Sequence, residues 1–214
     1  MSPRGHDGSM EEAGMRVIVV GATGTIGTAV VAALAGRHEV ISVSHSKGER
    51  RVDMASPTSI ERLFNTIGPF DAVISTAGRA AFKPLMDLTN EDFQLSLSNK
   101  LMGQVNLVRI GARFINEGGS FTLTSGVLAS EPMPGSAAVS LVNAGIEGFG
   151  RAAALEKPRN IRVNVVSPPW VSETLAAMGR DPAGGMPAAQ VARAYVHGLE
   201  GSGTGEVIDA RKFA

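Results

Sequence analysis

The feature that most constrains this chain is a β-branched run that breaks into glycines and passes at once into a helix. Residues 16–20, Arg-Val-Ile-Val-Val, are followed by Gly21-Ala22-Thr23-Gly24-Thr25-Ile26-Gly27 and by an Ala- and Val-rich stretch over 25–35. Such a run reads as a strand buried on both faces, which happens when helices cover a parallel sheet on both sides. The glycines let the backbone turn tightly, and the helix that begins there offers unpaired N–H groups and a partial positive charge. That combination suits a phosphate or pyrophosphate. Glycines at this spacing say little alone; the strand before them and the helix after them make a dinucleotide signal.

The rest of the chain repeats the alternation. Short runs rich in Val and Ile recur at 39–43, 71–75, 120–124, 161–166 and 206–209, and helical stretches are expected at 57–66, 90–116, 138–155 and 187–199. Ser56 before Pro57 is a helix start, and Thr89 with Asp92 has capping-box spacing. Alternating strand and helix predicts a doubly wound α/β sheet of Rossmann type, a three-layer αβα sandwich in one domain over residues 15–214. Residues 1–14 are polar and glycine-containing and are expected to stand outside the fold. The Gly- and Pro-rich stretch 179–187 is expected as a surface loop.

Composition narrows the function. Twenty basic residues balance twenty acidic ones, so no overall field draws the chain to nucleic acid or an anionic membrane. There is no cysteine, which excludes disulfides, thiolate catalysis and Cys-ligated zinc and fits a reducing, cytoplasmic setting. No metal site is assigned. No apolar run approaches the roughly 18 residues of a membrane span.

The second strand, 39–43, ends in Ser44-His45-Ser46-Lys47, with Arg50 and Arg51 beyond. An acid at this point would bind the ribose 2′-OH of NAD. Hydroxyls and cations suit a 2′-phosphate instead, so NADP(H) is favoured over NAD(H).

From Met15 onward the sequence resembles the short-chain dehydrogenase/reductase family. The glycine motif is followed by Asp53-Met54, similar to the family's adenine-contacting Asp. Ser75-Thr76-Ala77-Gly78 ends the third strand like the family's Asn-Asn-Ala-Gly. Asn99, four residues before Gly103, resembles the active-site Asn. Leu123-Thr124-Ser125 resembles the segment that ends in the catalytic Ser. Asn164-Val165-Val166-Ser167-Pro168 resembles the stretch passing the nicotinamide, and Gly205-Glu206-Val207-Ile208 the closing strand. The resemblance implies catalytic roles for Ser125 and Asn99. It implies cofactor contacts from Gly21, Thr23, Gly24, Thr25, Ile26, Ser44, His45, Ser46, Asp53, Met54, Ala77, Gly78, Asn143, Pro168 and Val171. It also implies a homodimer or homotetramer joined through the helices at 90–116 and 138–155.

Three departures from the family pattern stand out. The middle glycine falls one residue early, Pro169 replaces a Gly, and Val139 and Asn143 occupy the positions of the Tyr-x-x-x-Lys pair. The chain's one tyrosine, Tyr195, lies in another helix. Tyr and Lys one turn apart share a helix face; Val139 holds no proton, and Asn143 can hydrogen-bond but carries no charge. Glu131, Lys83 and Glu173 are alternative acids or bases, or solvated loop charges. The expected function is therefore oxidoreduction of a small carbonyl or alcohol at an atypical site. The competing readings are a non-catalytic NADP(H) sensor or partner protein, and a reused pocket for non-redox isomerisation.

Overall fold

A computed structural model describes residues 14–214. Its six strands are β1 (Arg16–Val20), β2 (Glu39–Val43), β3 (Phe70–Ser75), β4 (Ile115–Thr124), β5 (Arg162–Ser167) and β6 (Val207–Asp209). They form one sheet in the order β2-β1-β3-β4-β5-β6, with every pairing parallel. The chain leaves β1 for β2, returns past β1 to β3, then steps outward to β6. The reversal between β1 and β3 opens a crevice at the carboxyl ends of the strands, where open α/β sheets bind ligands.

Alternating residues of each strand feed two cores, because successive side chains point to opposite faces. Val17 and Val19 pack with α1 (Thr25–Leu34) and α7 (Ala188–Glu200) through Val30, Leu34, Val191 and Tyr195. Ile18 and Val20 belong to the opposite core, built with α2 (Pro57–Ile67), α4 (Met102–Gly111) and α5 (Ala137–Glu156) through Phe64, Leu107 and Ile146. The result is the expected doubly wound, three-layer sandwich. Its helix starts follow the local chemistry. Ser56 accepts from the Ser59 N–H with Pro57 in the first turn, and Thr89 and Asp92 close a complete capping box. The extension expected over residues 1–14 lies, apart from Gly14, outside the described residues.

The single helix expected at 90–116 is corrected in two places. It is broken into α3 (Asn90–Ser96), a π turn over Leu97–Leu101, and α4, which stops at Gly111. A side chain at Gly111 would stand 3.0 Å from the Phe121 ring, so the helix can pass this close to the sheet only with glycine. The strand then begins at Ile115 rather than at residue 120. Ile115 pairs with Phe70, and the register slips before Ser120 meets Ala72, with Gly118 at φ +75°. Residues 116–119, Asn-Glu-Gly-Gly, hide this β-bulge from a reading based on strand formers. A short helix, α6 (Ser172–Ala177), also forms in the stretch after β5, where the sequence predicts none. No helix of the described residues is long and apolar enough to cross a membrane.

Candidate functional site

The turn after β1 is pinned from two sides. The N–H groups of Gly21 and Ala22 both donate to the Val43 carbonyl, at 2.9 and 3.1 Å, tying the turn to the end of β2. Gly21 sits at φ +89°, where a side chain would be strained. A Cβ on Gly27 would overlap the Gly21 carbonyl oxygen, so only glycine lets α1 start against the turn. The N-terminus of α1 has no side-chain cap and no acid in its first turn. Its free N–H groups therefore remain available to an anion. Thr23, Gly24 and Thr25 are exposed at this end. Gly21, Thr23, Gly24, Ser44, Met54 and Ala77 line a cavity of about 210 Å³ there.

The basic segment after β2 divides. Ser44 is buried, and its hydroxyl donates to the Lys47 carbonyl while accepting from the Lys47 N–H, so it shapes the loop. His45, Ser46, Lys47, Arg50 and Arg51 are exposed. His45 borders both the cavity at the glycine turn and a neighbouring one of about 370 Å³ that Arg50, Arg51 and Asp53 also line. Asp53 is exposed and accepts from the Ala55 N–H at 3.0 Å.

A larger cavity of about 410 Å³ opens at the ends of β3, β4 and β5. It shares Thr76 with the cavity at the glycine turn, and Ile26, Val139, Asn143, Pro168 and Val171 are on its walls. Asn143 is 2% exposed; its Nδ2 donates to the Gly126 carbonyl at 3.4 Å, and its Oδ1 has no partner among the described residues. A buried, unpaired amide oxygen is costly unless something hydroxyl- or N–H-bearing meets it. The remaining wall is largely apolar and aromatic, with Phe82, Leu128, Trp170 and Met178. The segment that covers it is held in place. Val171 bridges to Met186, and the Glu173 carboxylate accepts from the Ala188 N–H at 3.0 and 3.1 Å.

Several expected residues have other duties. Ser125 is also on the wall of the large cavity, and its hydroxyl donates to Glu147 Oε1 on α5 at 2.9 Å, with the Val166 carbonyl at 3.4 Å. Asn99 does not line the cavity; its Oδ1 accepts from the Arg79 N–H at 2.8 Å. None of the three alternative acids is free. Glu131 lies 2.8 Å from Arg211, which holds its carboxyl below the usual range. Lys83 pairs with Asp92 at 2.8 Å, and Glu173 is the anchor just described. Tyr195 is fully buried, 2.6 Å from Thr124 Oγ1, and burial pushes its phenol upward.

The residue that sequence reasoning misses is Lys100. It lines the large cavity, and its Nζ donates to the Ser125 carbonyl at 3.1 Å. Burial lowers its ammonium from the ordinary lysine value to about 8. A signal for it exists: Lys100 stands four residues from both buried Ser96 and buried Gln104, on the inward stripe of its helix. Gln104 itself clamps the end of β4, donating to the Thr124 carbonyl at 2.8 Å and accepting from the Thr124 N–H at 2.7 Å. The family resemblance points to its neighbour Asn99 instead, and both residues lie in the π turn. One added residue per turn shifts which side chain faces inward, and such turns recur at functional sites.

Comparison with known proteins agrees with this architecture. A family model described as enoyl-(acyl carrier protein) reductase matches residues 8–202. Carbonyl reductase [NADPH] 2 of Sus scrofa is 30% identical over 189 residues, covering 80% of this chain and 76% of that protein. The crystal structure of the protein lin1944 from Listeria innocua superposes with a TM-score of 0.87 at 38% identity, covering 91% of this chain and 98% of that one. A small-chain dehydrogenase in complex with NADPH gives 0.80 at 29% identity, covering 92% and 96%.

Proposed function

The chain belongs to the short-chain dehydrogenase/reductase family, and from that premise we propose that it is an NADP(H)-dependent oxidoreductase acting on a small carbonyl or alcohol at an atypical active site. The observation that carries this reading is the continuity of the site. A glycine cradle at an uncapped helix N-terminus opens, across Thr76, onto a cavity holding the orphaned Asn143 Oδ1. The chain's residues fit a dinucleotide laid along that line. The turn Gly21–Gly24 and the first N–H groups of α1 take the pyrophosphate, Met54 and Ala77 flank the adenosine end, and Asn143 accepts from a nicotinamide-ribose hydroxyl. When bound, the nicotinamide supplies or takes the hydride.

The site is atypical because Val139 and Asn143 stand where the family resemblance places Tyr and Lys. The cavity's modest volume and apolar walls suit a small carbonyl compound. A non-catalytic sensor is favoured by one observation, the engagement of the Ser125 hydroxyl by Glu147. Loss of reduced-nicotinamide absorbance over a panel of aldehydes, ketones and quinones separates the two, since a sensor binds NADPH without consuming it.

Cofactor choice follows from the segment after β2. His45, Arg50 and Arg51 border the cavities beside the glycine turn, where a 2′-phosphate would project. NADPH binds about 10-fold or more tightly than NADH, a difference of ~1.4 kcal/mol, and Arg51→Glu narrows the gap. Isothermal titration decides this, and equal affinities exclude the phosphate seat.

We also propose association through α4 and α5. Met102, Leu141 and Leu155 are exposed on these helices, beside an apolar recess of about 300 Å³ that includes Val108, Phe149 and Ala153. A twofold contact would bury this face. Light scattering at micromolar concentration should give a dimer or tetramer, and Leu155→Glu with Leu141→Glu should give the monomer.

A further inference from the structure

Lys100 occupies a place that structural need alone does not explain. Among the described residues its ammonium has one hydrogen bond, to the backbone carbonyl of Ser125, and pairs with no carboxylate. A charge withdrawn from water without a counter-ion is costly. Yet the fold makes room for it. Gly78, at φ +147°, packs on the lysine stem so closely that a Cβ there would lie 2.8 Å from Lys100 Cγ. The residue is only partly buried, and it lines the cavity.

We propose that Lys100 is the catalytic cation of this cavity: it binds the substrate's oxygen as an oxyanion and delivers the proton that completes carbonyl reduction. The proposal rests on the oxidoreductase reading for its proton step, but not for its oxyanion site. As hydride and its electron pair reach the carbonyl carbon, the C=O π pair moves onto oxygen. A Lys100 N–H bond breaks and an O–H bond forms. The alcohol leaves with the oxidised cofactor, and the neutral amine regains its proton from water. In the oxidative direction the neutral amine takes the proton.

The ligand class follows from the surroundings. Phe82, Leu128 and Trp170 offer apolar contact in the cavity that Lys100 also lines. An aromatic or unsaturated compound whose oxygen becomes anionic, such as a phenolate or enolate, fits both. Of the charged groups on neighbouring elements, the Arg180 guanidinium lies over the Trp170 ring, 5.3 Å from its centre. Arg79, next to Gly78, offers its backbone N–H to Asn99, and Glu147 on α5 lies behind Ser125 with Arg151 4.0 Å beyond. None of them bonds to Lys100 among the described residues. With the ammonium poised at about 8, carbonyl reduction needs the protonated form and falls as pH rises through that value. Alcohol oxidation needs the neutral form and falls as pH drops below it.

The test uses the intact protein and 4-nitrophenol, whose ionisation is visible in its absorbance. The wild type should lower the ionisation midpoint of the bound phenol by about 1–3 pH units, as a close opposite charge does. Lys100→Met should abolish that shift, and Lys100→Arg should restore part of it. Lys100→Gln keeps a donor for Ser125 O and guards against loss of fold. If either neutral variant ionises the phenol as the wild type does, the proposal falls. With NADPH and a reducible quinone, Lys100→Met and Lys100→Gln should lose roughly 10²–10⁴-fold in turnover, with NADPH affinity changed little. Undiminished turnover also overturns the proton role. A wild type that ionises the phenol but binds no NADPH overturns the cofactor reading and leaves the oxyanion site standing.

Discussion

Tyr195→Ala destabilises the fold by about 3–5 kcal/mol, the cost of removing a large ring from a closed core. Tyr195 is fully buried between α7 and the sheet, in the core that also holds Val17, Ile74 and Val191. Its hydroxyl is 2.6 Å from Thr124 Oγ1, and that oxygen donates to the Ser75 carbonyl at 2.5 Å. The phenol must therefore be the donor in this chain of bonds. Tyr195→Phe removes one buried hydrogen bond and costs about 1 kcal/mol. Urea unfolding measures both, and a loss below about 1 kcal/mol for the alanine variant contradicts the packing. The phenylalanine variant also answers a chemical question. Tyr195 is the chain's only tyrosine, and burial raises its phenol further from neutrality. Turnover in Tyr195→Phe should match the wild type, whereas a phenolic proton donor would make it collapse.

Gly27→Val weakens NADPH binding by at least ~10-fold, ~1.4 kcal/mol, and lowers the melting temperature. A Cβ at Gly27 overlaps Gly21 O and meets Ala22 Cα at 2.9 Å, both backbone atoms that cannot rotate away. The turn must then shift, and with it the N–H groups that face the pyrophosphate. The contrasting variant is Gly148→Ala on α5, where nothing lies within 4 Å. There the substitution relieves only helix-breaking entropy and should stabilise by about 0.5–1 kcal/mol without touching NADPH affinity. Calorimetric titration beside a thermal melt resolves the pair; unchanged binding in Gly27→Val removes the cradle from the site.

Much of this architecture is legible in the sequence because local and global signals agree. β1 and β2 fall on residues 16–20 and 39–43 since Val and Ile cluster between glycines and charges. The cradle is legible because its glycines fall directly between a strand and a helix. What is hidden depends on pairing between distant segments. The bulge before Ser120 is set by β3, and α4 ends at Gly111 because the Phe121 ring, ten residues later, lies against it. The wiring of the candidate site is hidden for a similar reason. A strand-end serine is legible by its place, but that Glu147, 22 residues on, accepts from its hydroxyl is seen only in the fold. Lys100 escapes a sequence reading because the family resemblance draws attention to Asn99 beside it, and a lysine in a helix reads by default as solvated.

That wide turn makes the site depend on chain length as well as on residue identity. Each residue advances an α-helix by about 100°, so an insertion or deletion there acts like a fraction of a turn on a screw. Downstream, Gly103, Gln104 and Leu107 are locked against Met54, Thr124 and the sheet and hold their phase. The mismatch is taken up upstream, where the amine is carried. A relative with every side chain of this cavity but one residue fewer between Lys100 and Gly103 would aim its amine elsewhere. Two sequences alike in composition here can thus differ in chemistry through a single lost codon. Deleting Leu101, inside the π turn and between the lysine and the locked segment, should silence phenolate ionisation as fully as Lys100→Met does, although the lysine is still present.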